Sequence, residues 1–335
     1  MSITPKKSID TKPLSVESIG SFYGISGKIL GRTYRNTLSE FTKWPHYKDA
    51  FKGLVFEQNL GPYLSIDETS LSHGELYTIV TNKEARGQKG SLVAILRGTK
   101  SEEIIPRLNE MSKKLRHKVL EITLDLAGNM AQIARNCFPN AVQVVDRFHV
   151  QQLASEALQE IRIKHRWEEL DKENAAIEMA RSNGSVYQPT TLKNGDTAKQ
   201  LLARSRYLLY KHEQMWSSDQ KLRAEILFEK YPDIKSAFEL TQKLKWIYNE
   251  TSNKLYAFTR LAKWHEKVAQ AGFKSFNTIS RTIEIHHEKI LNYFDNKNTN
   301  ASAEAFNAKI KYFRTQYRGV TNVNFFLFRL ANLYA

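Results

Sequence analysis

The chain has a single cysteine, Cys137, in 335 residues. One thiol closes no disulfide within the chain and builds no cysteine-based zinc module. It lies in an apolar-periodic stretch and is expected to be a small core residue. Long hydrophobic runs are missing too. No stretch approaches the roughly 18–20 apolar residues that span a bilayer. The opening residues, Met1-Ser-Ile-Thr-Pro-Lys-Lys, lack the apolar core of a secretory signal, so a cytoplasmic protein is expected. No internal repeat or low-complexity segment is present. Acid is in short supply: 35 Asp and Glu face 50 Lys and Arg, for a net charge of +15. Such a surplus attracts polyanions and favours nucleic acid over small metabolites as the partner. The length allows two packed domains, or one domain with a large insertion.

The first 60 residues read as a basic N-terminal tail followed by a candidate helix-turn-helix. Residues 1–13 are polar and lysine-bearing, and are expected to be loose. Ser15 is placed to cap a helix with Glu17 in its first turn. Ile19, Phe22 and Tyr23 follow at helical spacing, and Gly24 stops the run. Ser26 then caps a second, basic helix through Leu30, Tyr34, Leu38 and Phe41.

From residue 62 the period changes. Tyr63-Leu-Ser-Ile-Asp-Glu-Thr-Ser-Leu, Glu75-Leu-Tyr-Thr-Ile-Val-Thr and Ser91-Leu-Val-Ala-Ile-Leu-Arg are β-rich runs with turn residues between them, which predicts an antiparallel meander. Residues 101–116 read as one amphipathic helix, and 119–125 as a fourth strand. A short helix over 128–138 and a fifth strand from residue 141 follow. Three strands, helix, strand, helix, strand is the ribonuclease H-like order. The predicted fold is therefore α/β, a ribonuclease H-like mixed sheet with a large all-α insertion and a short helical N-terminal segment. Residues 61–150 form the first part of the core, 151–294 the helical insertion, and 295–335 the C-terminal part of the core. The insertion holds four of the five tryptophans, most of them expected to be buried in helix packing.

Two acids stand out by placement. Asp67 lies inside a strand expected at the sheet's centre, where a carboxylate is costly unless it is paired or binds a metal. Its neighbour Glu68 should face the opposite side of the sheet. Asp125 ends the fourth strand just before Leu126-Ala-Gly. Adjacent parallel strands would bring Asp67 and Asp125 together at the carboxyl edge, where sites in open sheets are found. Glu304 opens the last predicted helix, whose Phe306, Ile310 and Phe313 form an apolar stripe. Taken alone, Glu304 reads as an ordinary first-turn glutamate favoured by the helix dipole.

These segments resemble bacterial insertion-sequence transposases of the DDE type, with a helical insertion in a ribonuclease H-like core. The resemblance runs over residues 54–335. It is carried by Ser65-Ile-Asp-Glu-Thr-Ser, Thr123-Leu-Asp-Leu, Phe138-Pro-Asn-Ala-Val-Gln-Val-Val-Asp-Arg-Phe-His and Asn300-Ala-Ser-Ala-Glu-Ala-Phe-Asn-Ala-Lys-Ile-Lys. It implies that Asp67, Asp125 and Glu304 are the catalytic acids and hold two Mg²⁺ ions, with Mn²⁺ as a substitute. Water would attack first, cutting the element's end; the freed 3′-hydroxyl would then attack target DNA. Asp146 and His149 match an Asp-x-x-His signature and would support the site, with Asp146 the rival of Asp125 for second acid. His149 also reads as a core histidine. Glu304 and Lys311 keep a glutamate-x6-lysine spacing, although Lys297 and Asn300 stand where the fuller signature has Tyr and Arg.

The expected function is DNA transposase. The alternatives are a structure-specific nuclease on the same fold and an inactive DNA-binding regulator derived from a transposase. Lys309, Lys311, Arg314 and Arg318 after Glu304, and Arg162 and Arg166 in the insertion, are the expected DNA contacts. Element ends and target DNA are the implied partners, with a homodimer or larger assembly on DNA and nucleoid association in a bacterial cytoplasm. With no cysteine-rich module ahead of the core, a separate end-recognition polypeptide is expected as well.

Overall fold

A computed structural model describes residues 5–71, 74–297, 301–317 and 320–335, with 301–304 described by backbone alone. Two compact units result: Met1–Asp146 with Asn298–Ala335, and Arg147–Lys297.

The first unit opens with three short helices, α1 (Pro5–Thr11), α2 (Val16–Phe22) and α3 (Gly27–Thr33). As predicted, Ser15 caps α2, its hydroxyl accepting from the Ser18 N–H. The turn after α2 passes through Gly24 at φ 67°, a left-handed conformation that suits glycine. Helices α2 and α3 approach so closely that a Cβ on Gly27 would lie 2.6 Å from the Glu17 Cα. The second helix does not run on to Phe41; a π-helical turn, Tyr34–Leu38, ends it. The expected loose tail is also corrected, since α1 is ordered and Ile9 is fully buried.

Six strands form one sheet: β1 (Gly53–Val55), β2 (Tyr63–Ser70), β3 (Leu76–Asn82), β4 (Leu92–Arg97), β5 (Glu121–Leu124) and β6 (Val142–Val145). The order is β1-β4-β3-β2-β5-β6. Strands β2, β3 and β4 make the predicted antiparallel meander, while β5 and β6 add parallel to β2. That is the ribonuclease H-like arrangement. The edge strand β1 was not foreseen, because three residues are too few to show a period. Between β4 and β5 the chain forms two helices, α4 (Ser101–Asn109) and α5 (Lys113–Arg116), where a single helix was expected. The break falls where the Ser112 N–H leaves the helical ladder for the Glu57 carboxylate, 2.8 Å away. Between β5 and β6 lies α6 (Gly128–Cys137), with Cys137 fully buried.

The second unit is entirely helical apart from its loops and one isolated bridge: α7 (Arg147–Ser182), α8 (Ala198–Arg204), α9 (Ser218–Lys230), α10 (Pro232–Glu250), α11 (Lys254–Ala271), α12 (Lys274–Ile285) and α13 (His287–Asn296). All the buried residues of α7 precede Ile163; its second half meets the unit through polar contacts such as His165 with Asp233 at 2.6 Å. Trp264 on α11 is enclosed, and its Nε1–H donates to the Leu240 carbonyl of α10 at 2.9 Å. The tryptophans are more exposed than expected: Trp167 is 57% and Trp246 39% exposed.

The chain then returns to the first unit as α14 (Ala301–Thr315) and α15 (Val323–Tyr334). Phe306, Ile310 and Phe313 of α14 pack with Tyr77, Ile79 and Ile95 of the sheet, so the apolar stripe docks as predicted. Phe325 and Phe328 of α15 pack with Ile9, Ile19, Leu30 and Tyr34. Arg329 is fully buried and donates to the Ile9 and Lys12 carbonyls at 2.5 and 3.3 Å, tying the N-terminal helices to the C-terminal one. No helix among the described residues is long and apolar enough to cross a membrane.

Candidate active site

The topology puts β2 at the centre of the sheet, with β5 and β6 beside it and all three running the same way. Ser65 pairs with Thr123, and Leu124 with Val145. Continuing those registers sets Asp67, Asp125 and Asp146 level with one another across three strands. A polar row at the carboxyl ends of parallel strands is where an open α/β sheet carries its chemistry.

Each acid is held by its local backbone. Asp67 Oδ1 accepts from the Glu68 N–H at 2.7 Å, and Asp125 Oδ1 accepts from the Ala127 N–H at 2.7 Å. The second bond closes an Asx-type turn that leads the chain from β5 into α6. Asp146 is 3% exposed, and its N–H donates to the Leu124 carbonyl at 3.0 Å, extending the pairing of β5 and β6 by one residue. Asp67 and Asp125 are half-buried.

Helix α14 meets this row through Asn307, which the sequence puts on one helix face with Glu304 and Lys311 but to which it assigns no role. Its side-chain amide donates to Asp67 Oδ2. Asn307 is 6% exposed, and its Oδ1 is buried with no hydrogen-bond partner among the described residues. An orphaned buried acceptor beside a carboxylate is an uncommon and costly arrangement. The available signal was spacing: Asn307 follows Glu304 by three residues, so the two share a helix face. The Glu304 side chain lies outside the described residues, as does Arg318. No cluster of three or more His, Cys, Asp or Glu able to hold a metal occurs among the described residues.

Glu68, expected only to face the opposite side of the sheet from Asp67, nonetheless lies within electrostatic reach of Asp125 and Asp67. Burial raises its carboxyl above the usual glutamate range, and the nearby negative charges of Asp125 and Asp67 add to the rise. A hydrogen bond from Asn129 on α6 opposes it. Like charges gathered at one strand end disfavour full ionisation of the group.

The basic residues of α14 divide by role. Lys309 Nζ donates to the Gly87 carbonyl at 2.8 Å, and the Arg314 guanidinium to the Ser70 carbonyl at 2.7 Å. Both pin the helix to the sheet, whereas Lys311 is exposed. In the helical unit, Arg162 departs from its expected part as a DNA contact. It is 5% exposed and donates to Gln159 Oε1 and the Leu202 carbonyl, so it presents no charge to solvent. Its neighbour Arg166 is exposed. His149 is half-buried in the first turn of α7, its ring against Phe148.

A solved structure titled Drosophila P element transposase strand transfer complex aligns over 99% of this chain and 91% of that one, at 12% identity and a TM-score of 0.39. That likeness is too slight to carry an argument. No curated protein matches the chain. A family model described as Transposase, of the DDE class and ISL3 type, matches residues 64–330. The match begins in the strand that carries Asp67 and ends in the last helix, taking in the whole acidic row and α14. On that extent of agreement, the chain belongs to the ISL3-type DDE transposase family.

Proposed function

We propose that this DNA transposase cleaves element ends and joins them to target DNA at the site built from Asp67, Asp125 and Glu304. The contact between Asn307 and Asp67 carries the reading, because it brings α14 onto the central strand one helical turn from Glu304. Hard carboxylate oxygens and the Asn307 Oδ1, which has no partner among the described residues, suit divalent cations of the Mg²⁺ or Mn²⁺ class. Bound there, two such ions would activate the attacking oxygen and stabilise the leaving one in an in-line displacement.

The chain's own residues do the positioning. The Glu68 N–H and the Asn307 amide fix both oxygens of Asp67, and the Ala127 N–H fixes one oxygen of Asp125. Lys311, exposed on α14, is placed to meet a phosphate. Asp146 is buried and level with Asp125, which keeps it the rival second acid. The turn between α2 and α3, with α3 basic and largely exposed, supports a helix-turn-helix role for the N-terminal helices.

Incubation of the full chain with a pre-cut end, a target duplex and Mn²⁺ should give joined product. Asp67→Asn, Asp125→Asn and Glu304→Gln should each abolish nicking and joining while leaving DNA binding intact. Asp146→Asn run in parallel decides between the two candidates for second acid. Joined product from both Asp125→Asn and Glu304→Gln would overturn the assignment, and hydrolysis without joining would make the protein a nuclease.

A further inference from the structure

Five cations of the helical unit have an acidic partner within 4 Å among the described residues. Lys172 pairs with Glu169, Lys199 with Glu173, Arg204 and Arg223 with Asp196, and Lys254 with Asp295. At the seam between α10 and α11 cations meet one another instead. Lys243 on α10 and Arg260 on α11 flank Trp246, Lys263 and Lys267 of α11 lie near Lys243, and among the described residues none of the four has an ion-pair partner within 4 Å. The Lys243 ammonium lies 3.8 Å from the Trp246 ring centroid, and the Arg260 guanidinium carbon 4.4 Å from the same centroid. Arg260 is fixed in place by donating to the Glu250 carbonyl at 3.1 Å and the Thr251 hydroxyl at 2.8 Å. Arg260, Lys263 and Lys267 fall at i, i+3 and i+7, one face of α11.

Burial lowers the Lys243 ammonium below its usual range, and the three neighbouring cations lower it further. Repulsion of this kind opposes folding, so the fold alone gives no reason to collect these charges. The seam is also tied by Trp264, which bonds across it to the Leu240 carbonyl. A cationic shelf with an indole at its surface suits a phosphodiester backbone: ammonium groups meet phosphates, and the open part of the ring meets a sugar or base.

We propose that Lys243, Trp246, Arg260, Lys263 and Lys267 form a second DNA-backbone site, carried by the helical unit and separate from the acidic row. Only the choice of DNA among polyanions rests on the transposase reading. The site holds DNA and takes no part in the chemistry, so binding and cleavage report on it separately.

The test uses the full chain, a labelled random-sequence duplex and a salt titration. Lys243→Gln/Lys263→Gln/Lys267→Gln should reduce the slope of log affinity against log salt by about two to three, near 0.9 for each phosphate no longer neutralised. Trp246→Leu should weaken binding of a labelled single strand of random sequence about tenfold and leave the salt slope unchanged. Asp67→Asn, inert in cleavage, should bind as the wild type does, which separates failure here from failure of the catalytic assignment. In wild-type protein, DNA should protect Lys243, Lys263 and Lys267 from amine acylation read by mass spectrometry, a measurement that needs no variant to fold. Unchanged slope and affinity in the triple variant, or no protection of the three lysines, would overturn the proposal.

Discussion

Asn307 donates its side-chain amide to Oδ2 of Asp67, joining α14 to the central strand across 240 residues of chain. The bond fixes the carboxylate that the proposed chemistry needs most. Asn307→Ala should therefore slow Mn²⁺-dependent end cleavage by roughly 10–100-fold and raise the Mn²⁺ concentration that half-saturates it, as loss of a ligand-orienting partner does. Cleavage rates across a Mn²⁺ titration check this; a wild-type curve would remove Asn307 from the site.

Lys83 and Glu121 form an ion pair at 2.8 Å whose side chains are 8% and 6% exposed, with the Thr123 hydroxyl 2.8 Å from the same ammonium. Lys83→Met deprives a buried carboxylate of its cation and should cost about 3–5 kcal/mol. Lys83→Met/Glu121→Leu should recover most of that loss. Urea unfolding followed by Trp44, the one tryptophan outside the helical unit, measures both.

Acid should weaken the helical unit. Burial holds the His265 imidazole below its usual range, against a smaller opposing effect from Glu284, and Nδ1 is hydrogen-bonded to the Ser280 hydroxyl. Burial, then Lys289, lowers His286 as well. A histidine depressed in the folded state binds fewer protons there than in the unfolded chain. Its contribution is complete above the ordinary value near pH 6.5 and is lost as pH falls through the folded value. Thermal unfolding followed by tryptophan fluorescence between pH 8 and 5 should show the decline, and His265→Gln should flatten it.

The Cys137 thiol should be inert in the native protein. Burial pushes it up to about 11, partly offset by Arg116. Only about one thousandth would be thiolate at pH 8, and the side chain is enclosed. Thiol titration should find no fast-reacting group without denaturant and one with it.

Much of this was legible locally. The meander, the parallel pair after it and the apolar stripe of α14 all followed from periodicity, and the Ser15 cap from one side chain beside one N–H. Asp67 and Asp125 could be singled out because a carboxylate inside a central strand, or ending one, is out of place unless it has work to do. The Glu57 carboxylate that takes the Ser112 N–H and splits the predicted helix lies 55 residues away, beyond any local window.

By itself the sequence determined the strand and helix periods, the polyanion-seeking charge and the candidate acids, because these depend on neighbours within a turn or two. Only the tertiary structure decided which polar side chains lie inside. It buried Arg162 and Arg329 against backbone carbonyls, left Trp246 at the surface between two cations, and aimed Asn307 at Asp67. Whether a charged or amide group is a structural tie or a free contact depends on which distant carbonyl or carboxylate comes within about 3 Å of it. That distance is set by packing and is written in no single stretch of chain.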